Sequence, residues 1–296
     1  MKLTFLGTSC MVPTKERAQT AMVLEHKGEY LLIDSGESVQ RQFKLAGMKP
    51  SKIGRILLTH WHGDHVLGLP GLLQTLSGSG HKGTLVIYGP PGIKEKIALM
   101  LRLYEFDNKL TIRVEEVQKG VFYENREYAL EAIPLRHRIA CNGYAFHLKD
   151  RRRIDMKKAE ALGLKEGPLL GELSVGKNVT LAGREISPDD VTYVVKGKTV
   201  AFIFDTLLTD AACRLAKDAD ILVCEAVYTS DLEDKAREHQ HLTAAHAATI
   251  AKRAGVKKLI LSHLSQRYKD KAVLLKEAKA IFSNTMTAKD FMTLTI

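Results

Sequence analysis

Apolar residues recur along the chain in short runs broken by Gly, Pro and charged positions. Residues 3–6, 21–25 and 30–34 are such runs, and their length and composition predict strands. Over residues 38–45 the apolar positions return with helical spacing, and Gly47 supplies a natural stop. Strand-like runs at 56–58 and 84–88 alternate with helix-like segments at 69–76 and from Pro90-Pro91-Gly92 to about Tyr104. A β-rich middle covers 111–117, 121–123, 128–134 and 144–148. The order then returns with strands at 199–204, 221–224 and 258–261 and helices at 211–217, 243–254 and 271–282. Two β-rich halves flanked by helices predict an α/β fold, a four-layer αβ/βα sandwich rather than a doubly wound parallel sheet. Residues 151–190 break the pattern with a basic run, a helix-like piece at 156–162 and the turn-rich Lys165-Glu166-Gly167-Pro168. They are expected to form an insertion protruding from a single domain spanning 1–296.

Composition changes this picture little, and charge changes it more. A chain of 296 residues, 45% hydrophobic and 26% charged, describes an ordinary soluble globular protein. No uninterrupted apolar stretch reaches the length of a membrane span, and the N-terminus does not read as a signal peptide. Cys10, Cys141, Cys213 and Cys224 are scattered without a CxxC pair, as expected of reduced cytoplasmic thiols. The net charge is +10. Between Arg136 and Lys165, nine basic residues stand against three acidic ones, leaving +6 in that segment alone. Such a concentration attracts a polyanion by neutralising phosphates.

The candidate chemistry is concentrated in His60-Trp61-His62-Gly63-Asp64-His65, directly after an apolar run. Imidazole and carboxylate are the donors that a divalent metal such as zinc accepts. In an extended segment His60 and His62 project to one side and reach one metal. Asp64 and His65 lie past a turn and can aim at a second. His137, Asp205 and His263 each follow a strand-like run, the usual place for functional side chains on a rigid frame. Together these are seven ligands, the number needed by two zinc ions sharing one carboxylate. Asp34 is expected to orient a ligand histidine, and Trp61 to pack behind the ligands. His26, His81, His147, His239 and His246 are expected to face solvent.

HxHxDH followed by a His, a lone Asp and a final His resembles the metallo-β-lactamase superfamily. Finer features resemble ribonuclease Z, the endonuclease family that trims tRNA precursors at the 3′ end. These are Phe5-Leu6-Gly7-Thr8-Ser9, the Pro13–Arg17 loop (PxKxR), Asp34-Ser35-Gly36-Glu37, Tyr88-Gly89-Pro90-Pro91-Gly92, His137-Arg138 with Gly143-Tyr144, and Gly167-Pro168. Glu225-Ala226, His241 with Thr243, and His263-x-Ser265-x-Arg267-Tyr268 complete the set. Departures occur at Ala18, Ser35, Phe204, Leu207, Cys224, Leu242 and Gln266, none of them a metal ligand.

The resemblance implies that His60, His62 and His137 hold one zinc, that Asp64, His65 and His263 hold the other, and that Asp205 bridges them. It further implies Asp64 as proton acceptor, with His241, oriented by Glu225, as proton donor to the leaving oxygen. Lys15, Arg17 and Arg267 would contact substrate near the centre. Arg151, Arg152, Arg153, Lys157, Lys158, Gly167 and Pro168 would belong to a flexible arm (residues 151–190) gripping precursor tRNA, in a homodimer. A small-molecule phosphodiesterase, arylsulfatase or lactonase on the same scaffold is the competing reading. A catalytically dead RNA-binding module is the third, and the complete ligand set weighs against it.

Overall fold

The computed structural model describes residues 1–296 and divides into two compact units. One comprises Met1–Tyr123, Leu130–Phe146 and Thr199–Ile296; the other comprises Glu124–Ala129 and His147–Lys198. Strands β1 (Lys2–Gly7), β2 (Ala21–His26), β3 (Glu29–Ile33), β4 (Ile53–Leu57), β5 (Thr84–Gly89) and β6 (Thr111–Glu116) lie side by side in that order. Next along the chain come β7 (Gly120–Glu124), β8 (Tyr128–Leu135) and β9 (Cys141–Leu148). The second unit supplies β10 (Arg151–Ile154), β11 (Val179–Leu181), β12 (Arg184–Ile186) and β13 (Thr192–Val195). The rest are β14 (Thr199–Ile203), β15 (Ile221–Glu225), β16 (Leu259–Ser262), β17 (Thr285–Thr287) and β18 (Thr293–Thr295). The last of these closes the first seven-stranded sheet beside β1, and the other sheet has the order β17-β16-β15-β14-β9-β8-β7.

The central strands of each sheet are buried on both faces, and so the sequence shows continuous apolar runs there instead of strict alternation. On one face of the first sheet, Leu6, Val23, Leu32, Ile56 and Ile87 pack with Phe43, Leu72 and Leu76 of helices Val39–Leu45 and Leu69–Gly78. Trp61 packs against that cluster. The second sheet packs Ala201, Ile203, Leu222 and Leu261 against Ala247, Ile250, Ala251, Leu274 and Ala278 of helices Ala244–Ala254 and Ala272–Ile281. Alternate strand residues, among them Phe5, Met22, Leu31, Phe202 and Val223, are equally buried on the opposite faces. There the rings of Tyr88, Phe122 and Tyr144 meet, at 4.8 and 5.9 Å between centroids, and join the two sheets. The Tyr144 hydroxyl donates to Leu58 O at 2.8 Å, and Asn142 N donates to Thr59 O at 2.9 Å. Both bonds clip the second sheet to the segment entering the His cluster.

The second unit, which contains the segment expected as a protruding insertion, is a folded body with its own secondary structure. Strands β10 and β13 pair antiparallel, with Arg151 opposite Val195 and Arg153 opposite Tyr193. Asp155 caps helix Met156–Ala161, and Pro168 sits in the first turn of helix Pro168–Ser174. Ala182 and Gly183, both with positive φ (49° and 80°), make the two-residue turn of the β11–β12 hairpin. Ala159, Leu164, Leu170, Leu173, Val179, Ile186 and Val191 form its own small core. Its limits, His147 and Lys198, lie outside the expected 151–190 because Leu148 N donates to Lys198 O, and Gly197 N to Asp150, closing the unit's base. These closing residues carry no apolar signal of their own.

Candidate metal centre

Strands β3 to β6 run parallel, as do β14 to β17. Functional side chains gather where parallel strands end. Asp34 follows β3, the His cluster follows β4, Glu225 ends β15 and His263 follows β16. The register sets Ile203 beside Cys224 and Glu225 beside Ser262, which brings Asp205 and His263 abreast. Asp34, Asp205 and His263 all turn away from their strands in left-handed backbone, with φ of 57°, 40° and 51°. Each such conformation costs about 1–3 kcal/mol and persists where the surrounding frame enforces it.

Two groups of donor atoms result. His60 Nε2 lies 3.0 Å from His62 Nδ1, which lies 3.2 Å from His137 Nε2. Asp205 Oδ2 stands 3.4 Å from His60 Nε2 and 3.7 Å from His137 Nε2. In the second group His263 Nε2 lies 3.1 Å from His65 Nε2 and 3.2 Å from Asp64 Oδ2. Asp205 Oδ1 stands 3.5 Å from His65 Nε2. Asp205 therefore offers one oxygen to each group. A tetrahedral ion with bonds of about 2.0–2.1 Å holds its ligand atoms about 3.3 Å apart, close to these separations. Asp205 Oδ1 is buried without a hydrogen-bond partner, an arrangement that suits metal binding. The residues fit a divalent metal ion.

The supporting residues fix the ligands in place. Asp34 Oδ2 accepts from His65 Nδ1 at 2.7 Å, and Asp34 also accepts from Thr59 N and Oγ1 at 2.8 Å. This is the orienting role expected of Asp34, and Thr59 is its unanticipated partner. Ser35 N donates to His65 O and Gly68 N to Ser35 O, clamping helix Gly63–Val66. Gly36 has to be glycine here, since a Cβ would come within 2.6 Å of Asp64 O. Glu225, fully buried, accepts from His241 Nδ1 at 2.8 Å through one oxygen and from Thr206 N at 2.7 Å through the other. Gln240, in left-handed backbone, turns its carbonyl to His137 Nδ1 at 3.2 Å. No sequence signal marked Gln240.

Electrostatics follow from burial and this crowding. Burial lowers the proton affinity of His60, His62 and His137, the last to about 4, so these imidazoles are neutral and ready to bind a cation. Burial alone would raise Asp205, yet His263, His60, His241 and His65 hold it well below the ordinary carboxylate range. Asp64 is lowered likewise by His65 and His263 against its burial. Despite complete burial, Asp34, Asp205 and Asp64 push His65 upward. Burial is also overcome at His241, which Glu225 and Asp205 raise to about 9.

The donor groups open into a cleft of about 920 Å³ lined by His62, Asp64, His137, His241, Tyr228 and Arg267, among others. The Arg267 guanidinium lies over the Tyr228 ring, 5.6 Å from its centroid. Lys15 is exposed, whereas Arg17 donates inward to Thr8 Oγ1 and Ala288 O at 2.6 and 2.7 Å. In the second unit Arg151, Arg153, Lys157 and Lys158 are exposed, and Arg152 is tied to Asp189 and Thr192. Gly167 and Pro168 open a helix there. Among the departures from the family pattern, Phe204 is buried with its ring 6.0 Å from that of His263, and Cys224 and Leu242 fill the core beneath the second sheet. Of the histidines expected to face solvent, His239 is exposed, whereas His26, His81, His147 and His246 are half-buried. His246 accepts from Thr243 N in a helix cap, so its position is set by backbone capping.

A helix–sheet–sheet–helix body with paired His and Asp donors at its strand ends defines a metallo-β-lactamase-fold protein. The metallo-β-lactamase-fold protein YhfI from Bacillus subtilis is similar to it, at a TM-score of 0.71 and 20% identity, covering 99% of this chain and 98% of that one. The human tRNase Z, short form, has a TM-score of 0.73 and 27% identity, covering 100% of this chain and 99% of that one. The ribonuclease Z of Methanothermobacter thermautotrophicus is 42% identical over 100% of this chain and 97% of its own length, and residues 1–155 match the family model described as Anti-Pycsar protein Apyc1. The chain belongs to the ribonuclease Z family and, through its N-terminal half, to the family of that model.

Proposed function

We propose that this chain is a metal-dependent endoribonuclease that removes the 3′ trailer from tRNA precursors, leaving a 3′-hydroxyl on the tRNA and a 5′-phosphate on the trailer. The observation that carries the reading is Asp205, whose two oxygens each face one complete set of donors. His60, His62 and His137 would hold one zinc ion and Asp64, His65 and His263 a second. Bound there, two divalent ions supply Lewis acidity toward the phosphate and the attacking water.

The chain's own groups move the protons. Asp64, kept ionised and facing the cleft, accepts the proton of the attacking water as the new P–O bond forms. The P–O3′ bond breaks, and His241 protonates the departing 3′ oxygen; with Nδ1 engaged by Glu225, its Nε2 is the donor. A pKa of about 9 keeps His241 in the acid form at neutral pH.

The second unit takes the body of the tRNA. Arg151 and Arg153, exposed on one face of β10, lie across from β13, where Tyr193 is half exposed opposite Arg153. Cations beside an aromatic ring suit a phosphate backbone with accessible bases. A cytoplasmic homodimer, in which this unit serves the partner's substrate, completes the reading. No helix is long and apolar enough to cross a membrane.

The test is incubation of the zinc-loaded protein with a 3′-extended tRNA precursor and, in parallel, with bis-p-nitrophenyl phosphate. Cleavage of both is expected. Hydrolysis of the dye ester alone would transfer the assignment to the competing small-molecule phosphodiesterase.

A further inference from the structure

The first unit has a second cavity, of about 680 Å³. Gln266 lines both this cavity and the cleft over the metal donors. Four cations, Arg17, Lys269, Lys271 and Lys289, face it together with the carboxylates of Glu16 and Asp290. Asp290 is engaged by the fold, accepting from Thr8 Oγ1, Ala18 N and Gln42 Nε2 at 2.6, 2.7 and 3.0 Å. Arg17 is held beside it by the inward bonds described above. Lys271 donates to the carbonyls of Ser265 at 2.8 Å and of Tyr268, and enters no ion pair. Burial and the neighbouring Arg17 lower its proton affinity, against the opposing effect of the Glu16 carboxylate. Lys269 and Lys289 are exposed and enter no ion pair.

The reaction geometry decides which part of an RNA strand reaches this cavity. The oxygen that departs toward His241 belongs to the mature tRNA, so the tRNA side of the strand lies toward His241. At the proton acceptor, Met11 N donates to Asp64 Oδ2 at 2.8 Å, and the loop from Met11 leads to Thr14, Glu16 and Arg17 on the cavity wall. We propose that this cavity binds the phosphate backbone of the 3′ trailer, just beyond the scissile bond, through Lys269, Lys271 and Lys289. The inference rests on the tRNA-processing reading and adds to it a subsite for the leaving strand.

The test is the double variant Lys269→Glu/Lys289→Glu, whose altered residues are surface positions outside the metal centre. Precursors carrying a single-nucleotide trailer and one several nucleotides long are compared, with bis-p-nitrophenyl phosphate as control for an intact centre. The expected result is a KM raised only for the long trailer. The slope of log K against log salt should fall by roughly 0.7 for each phosphate that the variant no longer neutralises. Equal weakening on both trailer lengths, or none on either, overturns the proposal. Fluorescence anisotropy with the isolated trailer oligonucleotide separates this question from the activity. If the wild type binds it and the variant does not, the cavity assignment stands even where no precursor is cut. If both bind it equally, the assignment falls even where precursor processing is intact.

Discussion

The metal centre and the second unit solve opposite problems with the same kind of chain. At the centre, donor side chains from four separate strand ends are brought together by two sheets whose central strands are buried on both faces, and Asp34, Asp205 and His263 accept a left-handed backbone there. The second unit is held by seven buried side chains, a two-stranded ribbon and local devices: a capping aspartate, a proline-started helix and a two-residue hairpin. Rigidity is concentrated where metal-donor atoms have to be placed within a few tenths of an ångström. The role proposed for the second unit is to present charge, and phosphate contacts tolerate imprecision that metal coordination does not.

This contrast can be broken most severely at Asp205. Asp205→Ala removes the one carboxylate common to both donor sets and is expected to abolish turnover of every substrate. Metal analysis should then fall well below the two ions per chain expected of the wild type. A variant that keeps both ions and full turnover would show that the bridging assignment is wrong.

A smaller loss is expected from His241→Ala. It leaves both donor sets whole, so metal content should be unchanged while cleavage slows by roughly 10²–10⁴. The pH profile sharpens the assignment. The acid form of His241 is required, it is present below about 9, and the rate should fall as pH rises through that value. Glu225 raises that pKa, so Glu225→Gln should move the fall to lower pH. An unmoved basic limb would remove His241 from the reaction.

In the second unit the expected effects are confined. Replacing Arg151–Val195 by a short glycine linker should leave metal content and hydrolysis of bis-p-nitrophenyl phosphate near wild type, because no donor lies in it and Leu148 already bonds Lys198 at its base. KM for precursor tRNA should rise more than kcat falls. Loss of both activities together would make the unit part of the catalytic frame. Smallest of all is Leu173→Ala, which hollows the minor core and should cost about 2–5 kcal/mol locally. Hydrogen exchange should quicken within His147–Lys198 and stay slow around Asp205.

How much of each region the sequence disclosed follows from the same difference. The seven proposed ligands were legible, because few other roles call for His60, His62, Asp64 and His65 in one stretch, and because His137, Asp205 and His263 each close an apolar run. The polar elements were not. Strands β17 and β18, Thr-Met-Thr and Thr-Leu-Thr, and helix Glu233–His239 are too short or too polar to carry a hydrophobic period. In the second unit only helix Met156–Ala161 stood out in advance, while Gly167-Pro168 read as a turn although it opens a helix. Thr59 and Gln240 matter through single hydrogen bonds made across the fold, which no local pattern encodes. Arg17 was read as a substrate contact from its motif, and only the tertiary structure reveals its inward bonds to Thr8 and Ala288.

The most direct measurement is to map both ends of the product when the zinc-loaded protein acts on one 3′-extended tRNA precursor. The expected result is a single cut at the end of the mature tRNA, with a 3′-hydroxyl on the tRNA, a 5′-phosphate on the trailer, and no cut by Asp205→Ala. An intact precursor, a 3′-phosphate on the tRNA, or undiminished cleavage by Asp205→Ala would contradict it.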